Sequence, residues 1–263
     1  MRAGLTVFWQ RLAEVVSSFQ QGGEMDAVLA ILSGLGAYLL GAVSFSRLFT
    51  RLVTPEKDLV DMERPVPGTD LTYREHGIGA SSVGNAVSSK AGCLVGLLDM
   101  AKVFVPTLLL RLLYPDQPYF LIAAASGMIG HNWPIYYRFK GGHGFSTAYG
   151  GALAVDWLGA LLSSLLGFLV SLLVLKSFMF VFIGSLLLLI PWFWFTKHDP
   201  WYVAYAVVLN ASFILALIPD IITAMKVRKQ LPRKPTLRED MQTNPMGKGL
   251  LRMADKFHWH IFD

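Results

Sequence analysis

The sequence predicts an all-α fold, a polytopic bundle of helices crossing a lipid bilayer, and three observations predict it. Hydrophobic residues fill 54% of the 263 positions and charged residues only 16%, against about 25% charged in a soluble domain. Apolar runs recur at 27–48, 92–114, 119–137, 145–175, 178–195 and 201–223, and a bilayer core takes about 20 apolar residues per helix. The basic residues fall in alternate connections. Arg47, Arg51, Lys57, Arg64, Arg74 and Lys90 follow the first run, Arg138 and Lys140 the third, and Lys226, Arg228, Lys229, Arg233, Lys234 and Arg238 the last. The preference of Lys and Arg for cytoplasmic loops puts these three regions inside. Helices are expected rather than strands because lipid offers the backbone no partners and nothing suggests a closed barrel.

The elements follow in order. Ahead of the bundle, Leu5, Phe8, Trp9, Leu12, Val15, Val16 and Phe19 recur at helical spacing with Arg2, Arg11 and Glu14 between them. Segment 1–25 is therefore expected to lie as an amphipathic helix in the membrane interface. The run 145–175 exceeds one ordinary span and is interrupted by Asp156-Trp157. Splitting it there gives a short helix 145–155 and seven transmembrane helices in all. The basic connections then stay on one side, with Lys176 at an inner turn. The turns Pro115-Asp116-Gln117-Pro118 and Lys197-His198-Asp199-Pro200 face outward. Residues 54–72 are polar with three prolines and read as a loop. Residues 74–92 are rich in Gly, Ser and Ala without helical or strand period. The expected organisation is thus an N-terminal segment 1–25, a membrane domain 26–225 and a basic cytoplasmic tail 226–263. Because the tail adjoins a membrane helix, anionic lipid headgroups are its expected partner, and nucleic acid is not.

Cys93 is the single cysteine, which excludes a disulfide within the chain and a cysteine metal cluster. No His, Asp or Glu set has metal-ligand spacing, and no Ser-His-Asp order is evident. No metal or cofactor is expected.

Three constellations carry chemistry, all on the expected inner side. The first is Arg74-Glu75-His76-Gly77-Ile78-Gly79-Ala80-Ser81-Ser82-Val83-Gly84-Asn85. Small residues let backbone N–H groups approach an anion, and Arg74 adds a fixed charge suited to phosphate oxygens; a flexible loop of small residues is the alternative. The second is Asp99 and Lys102, three residues apart on one face of an apolar helix. Ionisable groups inside a span usually face the bundle interior or a cavity, and a plain structural ion pair is the alternative. The third runs from Gly130-His131-Asn132-Trp133-Pro134 through Arg138-Phe139-Lys140-Gly141-Gly142-His143-Gly144-Phe145-Ser146-Thr147. A helix N-terminus preceded by glycines and a cation is a ready anion site, and His131 sits where a general base or phosphate donor can be placed. The competing reading is a histidine satisfied by interfacial water. The chemistry implied is positioning and electrostatic stabilisation of phosphate-bearing substrates rather than covalent catalysis.

At these residues the sequence resembles the bacterial membrane glycerol-3-phosphate acyltransferases that use acyl-phosphate as donor. That family carries Arg-x-x-Gly-Ser-Gly-Asn-x-Gly-Ala-Thr-Asn, then Lys-x-x-Gly, Leu-Leu-Asp-x-x-Lys, and Gly-His-x-x-Pro with Phe-Lys-Gly-Gly-Lys-Gly. Matching stretches here begin at Arg74 and Lys90 and continue through Leu97-Leu98-Asp99-Met100-Ala101-Lys102, Gly130–Pro134 and Phe139–Gly144. Order and spacing agree from about 41 to 151. The departures are Ile78 and Ala80 in the loop, an arginine missing just beyond Asn85, and His143 in place of the last lysine. Phe182 stands where a serine precedes Gly184-Ser185, and no His-x-x-Asn follows Pro219-Asp220. Residues 54–72 are longer than the family's loop.

The resemblance implies a multi-pass enzyme of the inner (plasma) membrane, its site loops cytoplasmic, acylating glycerol-3-phosphate from acyl-phosphate to give lysophosphatidate. It implies catalytic or positioning roles for His131 and Asn85. Substrate contacts fall to Arg74, Gly77, Gly79, Lys140, Gly141, Gly142, His143 and Ser185, with Asp99 and Lys102 pairing under the site. Two other readings stand beside it: a non-catalytic relative binding a lipid or phosphate ligand, and a small transporter, against which the absence of an inverted repeat counts.

Overall fold

The computed structural model describes residues 26–56, 59, 62–66, 69, 71–174, 179–231, 233, 236–242 and 245–257; the surface helix expected at 1–25 lies outside them. The described elements are α1 (Ala27–Gly41), α2 (Phe45–Val53), β1 (Met62–Pro65), β2 (Thr72–Glu75), α3 (Ala80–Ala86), α4 (Ser89–Leu113), α5 (Tyr119–Asn132), a 3-10 turn (Ile135–Tyr137), α6 (Phe145–Val155), α7 (Trp157–Leu173), α8 (Met179–Leu187), α9 (Leu189–Thr196), α10 (Pro200–Arg228), α11 (Leu237–Gln242) and α12 (Pro245–Lys256). The expected helical bundle is there, and each of the seven apolar blocks is helical. Among the described residues, three stretches, Ala27–Val53, α4 and α10, are long and apolar enough to cross a membrane.

Asp156 is the reason the run 145–175 splits. Its backbone is extended, with φ −157°, and it ends α6 while capping α7. Its carboxylate accepts from Gly159 N at 3.0 Å and Trp192 Nε1 at 3.2 Å, and it pairs with Lys197 at 2.8 Å. At the same end of the bundle, Asp26 N donates to the Tyr119 hydroxyl at 2.8 Å. The sixth block departs from a single span: it breaks at Leu188 into α8 and α9.

In lipid, helices gain little from burying apolar surface against each other, so close packing of small residues does the work. A side chain added at Gly41 would meet the backbone of Gly127, and one at Gly130 would meet the Tyr38 carbonyl, so α1 and α5 touch backbone to backbone. Gly150 brings α6 onto the Met100 carbonyl of α4, and Gly167 brings α7 onto Ser185 of α8. The core between them holds Phe120, Met128, Val155, Leu189, Phe193 and Leu209. Gly130→Val is therefore expected to lower stability by about 1–3 kcal/mol through overpacking, read as a lower midpoint in detergent denaturation; an unchanged midpoint would refute the contact.

Residues 54–72, expected as loop, contain part of a two-stranded antiparallel hairpin in which Glu63 faces Arg74 and Pro65 faces Thr72. Arg64, buried, pairs with Glu75 across it. The stretch 74–92 is likewise more ordered than its composition suggests, supplying the end of β2, α3 and the start of α4.

Candidate active site

One end of the bundle gathers the C-termini of α1 and α5, the N-terminus of α6, the middle of α4 and the second half of α10. At its centre is Lys102, whose side chain is 5% exposed. The ammonium has three N–H groups and three partners: Asp99 Oδ1 at 2.8 Å, Val43 O at 2.7 Å and His131 Nδ1 at 3.0 Å. Accepting from Lys102 at Nδ1 makes His131 a neutral imidazole with its proton on Nε2. Asp99 Oδ1 lies 3.6 Å from the same ring. The pair expected from i,i+3 spacing is present, and it holds the histidine as well.

The glycine turn closes over this histidine. Gly142 leaves room for Nε2, since a side chain there would strike the ring. Gly142 N donates to His131 O at 3.2 Å, and Ile78 N donates to Gly141 O at 2.9 Å. These bonds seat the 74–79 loop on the 140–144 turn. Gly144, at φ +82°, turns the chain into α6 against Asn132, a conformation that favours glycine. Asn132 is held by its amide on Ser212 O at 3.2 Å. Arg47, over the Tyr137 ring at 4.7 Å, donates to Lys140 O at 2.7 Å.

A clamp from α10 fixes the turn from the other side. Asp220 accepts from His76 N at 2.8 Å, contacts His76 Nδ1 at 3.0 Å, and pairs through its second oxygen with His143 Nε2. The His143 ring packs on Gly77. Nearby, burial and the charge of Glu75 push the Tyr73 hydroxyl up to about 12, so it stays a proton donor. Burial also pushes the Glu75 carboxyl up, against the opposing pull of Arg64.

Seven of the expected residues thus form one contiguous group: Gly77, Asp99, Lys102, His131, Gly141, Gly142 and His143. Lys140 lies exposed on the turn, and Arg74 lies exposed on β2, on the strand face opposite Tyr73 and Glu75. Gly79 precedes α3 with open space beside it. The structure engages four of the expected residues otherwise. Gly142 N is spent on His131 O, so anion donors at the turn are the amides of Gly141 and of the first turn of α6. His143 Nε2 is engaged by Asp220 rather than facing a phosphate. Ser185 donates to Val181 O at 2.6 Å and packs on Gly167, away from this group. Asn85 instead accepts from Lys248 at 3.3 Å. Ile78, where the resembling loop has serine, is 2% exposed and packs with Leu59, Val83, Ala91 and Val95. His76 and Asp220 were given no role by sequence reasoning; the one signal was an acid following Pro219 in an apolar helix.

The family profile described as "Glycerol-3-phosphate acyltransferase" matches residues 31–232. A glycerol-3-phosphate acyltransferase of Herminiimonas arsenicoxydans is 34% identical over 144 residues, 51% of this chain and 63% of that protein. One from Mycoplasma pneumoniae is 28% identical over 195 residues, 66% of this chain and 76% of that protein. The solved integral membrane glycerol 3-phosphate acyltransferase PlsY, in its glycerol 3-phosphate form, superposes with TM-score 0.63 at 26% identity, over 76% of this chain and 93% of that one.

Proposed function

Because the chain belongs to the glycerol-3-phosphate acyltransferase family, we propose that it moves a fatty acyl group from acyl-phosphate to glycerol-3-phosphate, giving lysophosphatidate at the cytoplasmic face of the inner membrane. The observation that carries this is the Lys102–His131–Asp99 group closed by the Gly141–Gly142 turn. It stands at the end of an apolar bundle between which an acyl chain can lie. PlsY, whose solved forms hold glycerol 3-phosphate and lysophosphatidic acid, shares the fold.

In this reading a hydroxyl of glycerol-3-phosphate attacks the acyl carbonyl carbon. The bond from that carbon to the phosphate oxygen breaks, and the departing inorganic phosphate takes the hydroxyl proton. His131 Nε2–H supplies a fixed donor to a substrate oxygen, and Lys102 keeps the tautomer that makes it a donor. Lys140, Arg74, the Gly141 amide and the N-terminus of α6 hold phosphate charge. Asp220, through His76 and His143, fixes the two loops that carry these groups.

Purified protein given palmitoyl-phosphate and labelled glycerol-3-phosphate is expected to form labelled lysophosphatidate. Arg74→Ala is expected to lower kcat/KM about 10²-fold while leaving the fold intact, as loss of one charged contact to phosphate does. Wild-type turnover in that variant would remove Arg74 from the site; no product from folded wild-type protein would remove the activity.

A further inference from the structure

Helices α11 and α12 follow the residues that match the family, 31–232, yet they are built firmly onto the bundle. Thr236 and Glu239 form a capping box at the start of α11, with Thr236 N donating to Glu239 at 2.8 Å and Glu239 N to Thr236 Oγ1 at 3.3 Å. Met241, Leu251 and Ala254 bury against Leu172 and Val181 of α7 and α8. Gly247 lets α12 turn tightly onto the Met241 carbonyl, and Arg238 joins α11 to Asp255 of α12 at 2.5 Å.

This anchoring sets Lys248 and Arg252, four residues apart on one face of α12, against the start of α4. Between them is an open surface hollow of about 460 Å³ lined by Gly84, Asn85, Ser88, Ser89, Lys90, Lys248 and Arg252. Its lining has three cations and no carboxylate. Among the described residues, neither Lys90 nor Arg252 has an acidic partner. Like charges gathered this way repel unless an anion joins them. The N-terminus of α4 adds to the same field. There Ser88 caps Ala91 N at 3.2 Å, and the amides of Ser89 and Lys90 have no partner within the helix.

We propose that this hollow binds a phosphate monoester or phosphate group, held between the α4 N-terminus, Lys90 and the two tail cations Lys248 and Arg252. The inference rests on the acyl-transfer reading for the identity of the ligand. Free glycerol-3-phosphate and inorganic phosphate are the two soluble sources of the same chemistry.

Cys93, single and exposed one turn beyond Lys90, can carry an environment-sensitive dye in the full chain held in zwitterionic nanodiscs. Titration with glycerol-3-phosphate and, separately, with inorganic phosphate is expected to give a saturable signal for at least one. K248A/R252A is expected to raise that Kd about tenfold or more, whereas K248R/R252K keeps it within about threefold, with little change in thermal midpoint in either. A response to glycerol-3-phosphate, with a matching rise in its KM, assigns the hollow to the acceptor. A response to inorganic phosphate alone assigns it to the released group. Equal affinity in wild type and K248A/R252A, or no saturable response to either probe in wild type, overturns the proposal. Tail-dependent binding by a protein that transfers no acyl group would keep the hollow and discard the acyl-transfer reading.

Discussion

Asp99→Ala is expected to destabilise the protein by about 3–5 kcal/mol, the effect of removing one partner of a buried ion pair. Asp99 is 1% exposed and Lys102 5% exposed, and they meet at 2.8 Å. Without the carboxylate, the ammonium keeps Val43 O and His131 Nδ1, both neutral acceptors. A charge left that way in the interior must either lose its proton or draw in water, and both options disturb His131. The check is denaturation in mixed micelles, where a change below about 1 kcal/mol would mean that Lys102 is hydrated or already neutral. The double replacement Asp99→Leu with Lys102→Met removes both charges at similar volume. It is expected to recover most of the stability, as hydrophobic replacements of buried pairs often do. It should not recover transfer, because His131 then lacks the donor that fixes its tautomer.

His131→Ala is expected to lower kcat by about 10²–10⁴-fold, the range in which positioned proton donors and acceptors act, with a much smaller change in KM for glycerol-3-phosphate. The ring is 7% exposed, fixed through Nδ1 by Lys102, and presents Nε2 at the glycine turn. A donor that strengthens its hydrogen bond as charge develops contributes to kcat rather than to ground-state binding. Steady-state kinetics on folded variant protein decides it. A rise in KM with kcat unchanged would make His131 a binding group only, and unchanged values of both would remove it from the site.

The sequence showed the bundle well because the membrane imposes strong local rules. Long apolar runs must be helical, and Asp156 could end a helix only at a break, which is where the structure caps α6 and α7 with it. The Asp99–Lys102 pair was equally legible, since both residues lie on one helix face. The hairpin was not. Met62–Pro65 and Thr72–Glu75 have no apolar alternation, and their pairing is helped by Arg64 and Glu75, which no pattern within either strand announces. α3 has only seven residues, mostly small, too few for a period to show. The Asp220 clamp joins residues 144 and 77 positions apart, so it exists only once α10 has packed. The tail read as polar and proline-interrupted; its helices depend on burying Met241, Leu251 and Ala254 against α7 and α8.

The central claim is that the turn at Gly141 and the start of α6, beside His131, receives a substrate phosphate. The most direct measurement is an experimental structure of the wild-type protein in lipid with glycerol-3-phosphate bound. Phosphate oxygens within hydrogen-bond reach of the Gly141 amide or the first-turn amides of α6, with Lys140 turned onto them, are the predicted result. Occupied ligand with its phosphate away from both this turn and the hollow at Lys90, Lys248 and Arg252 would contradict the account.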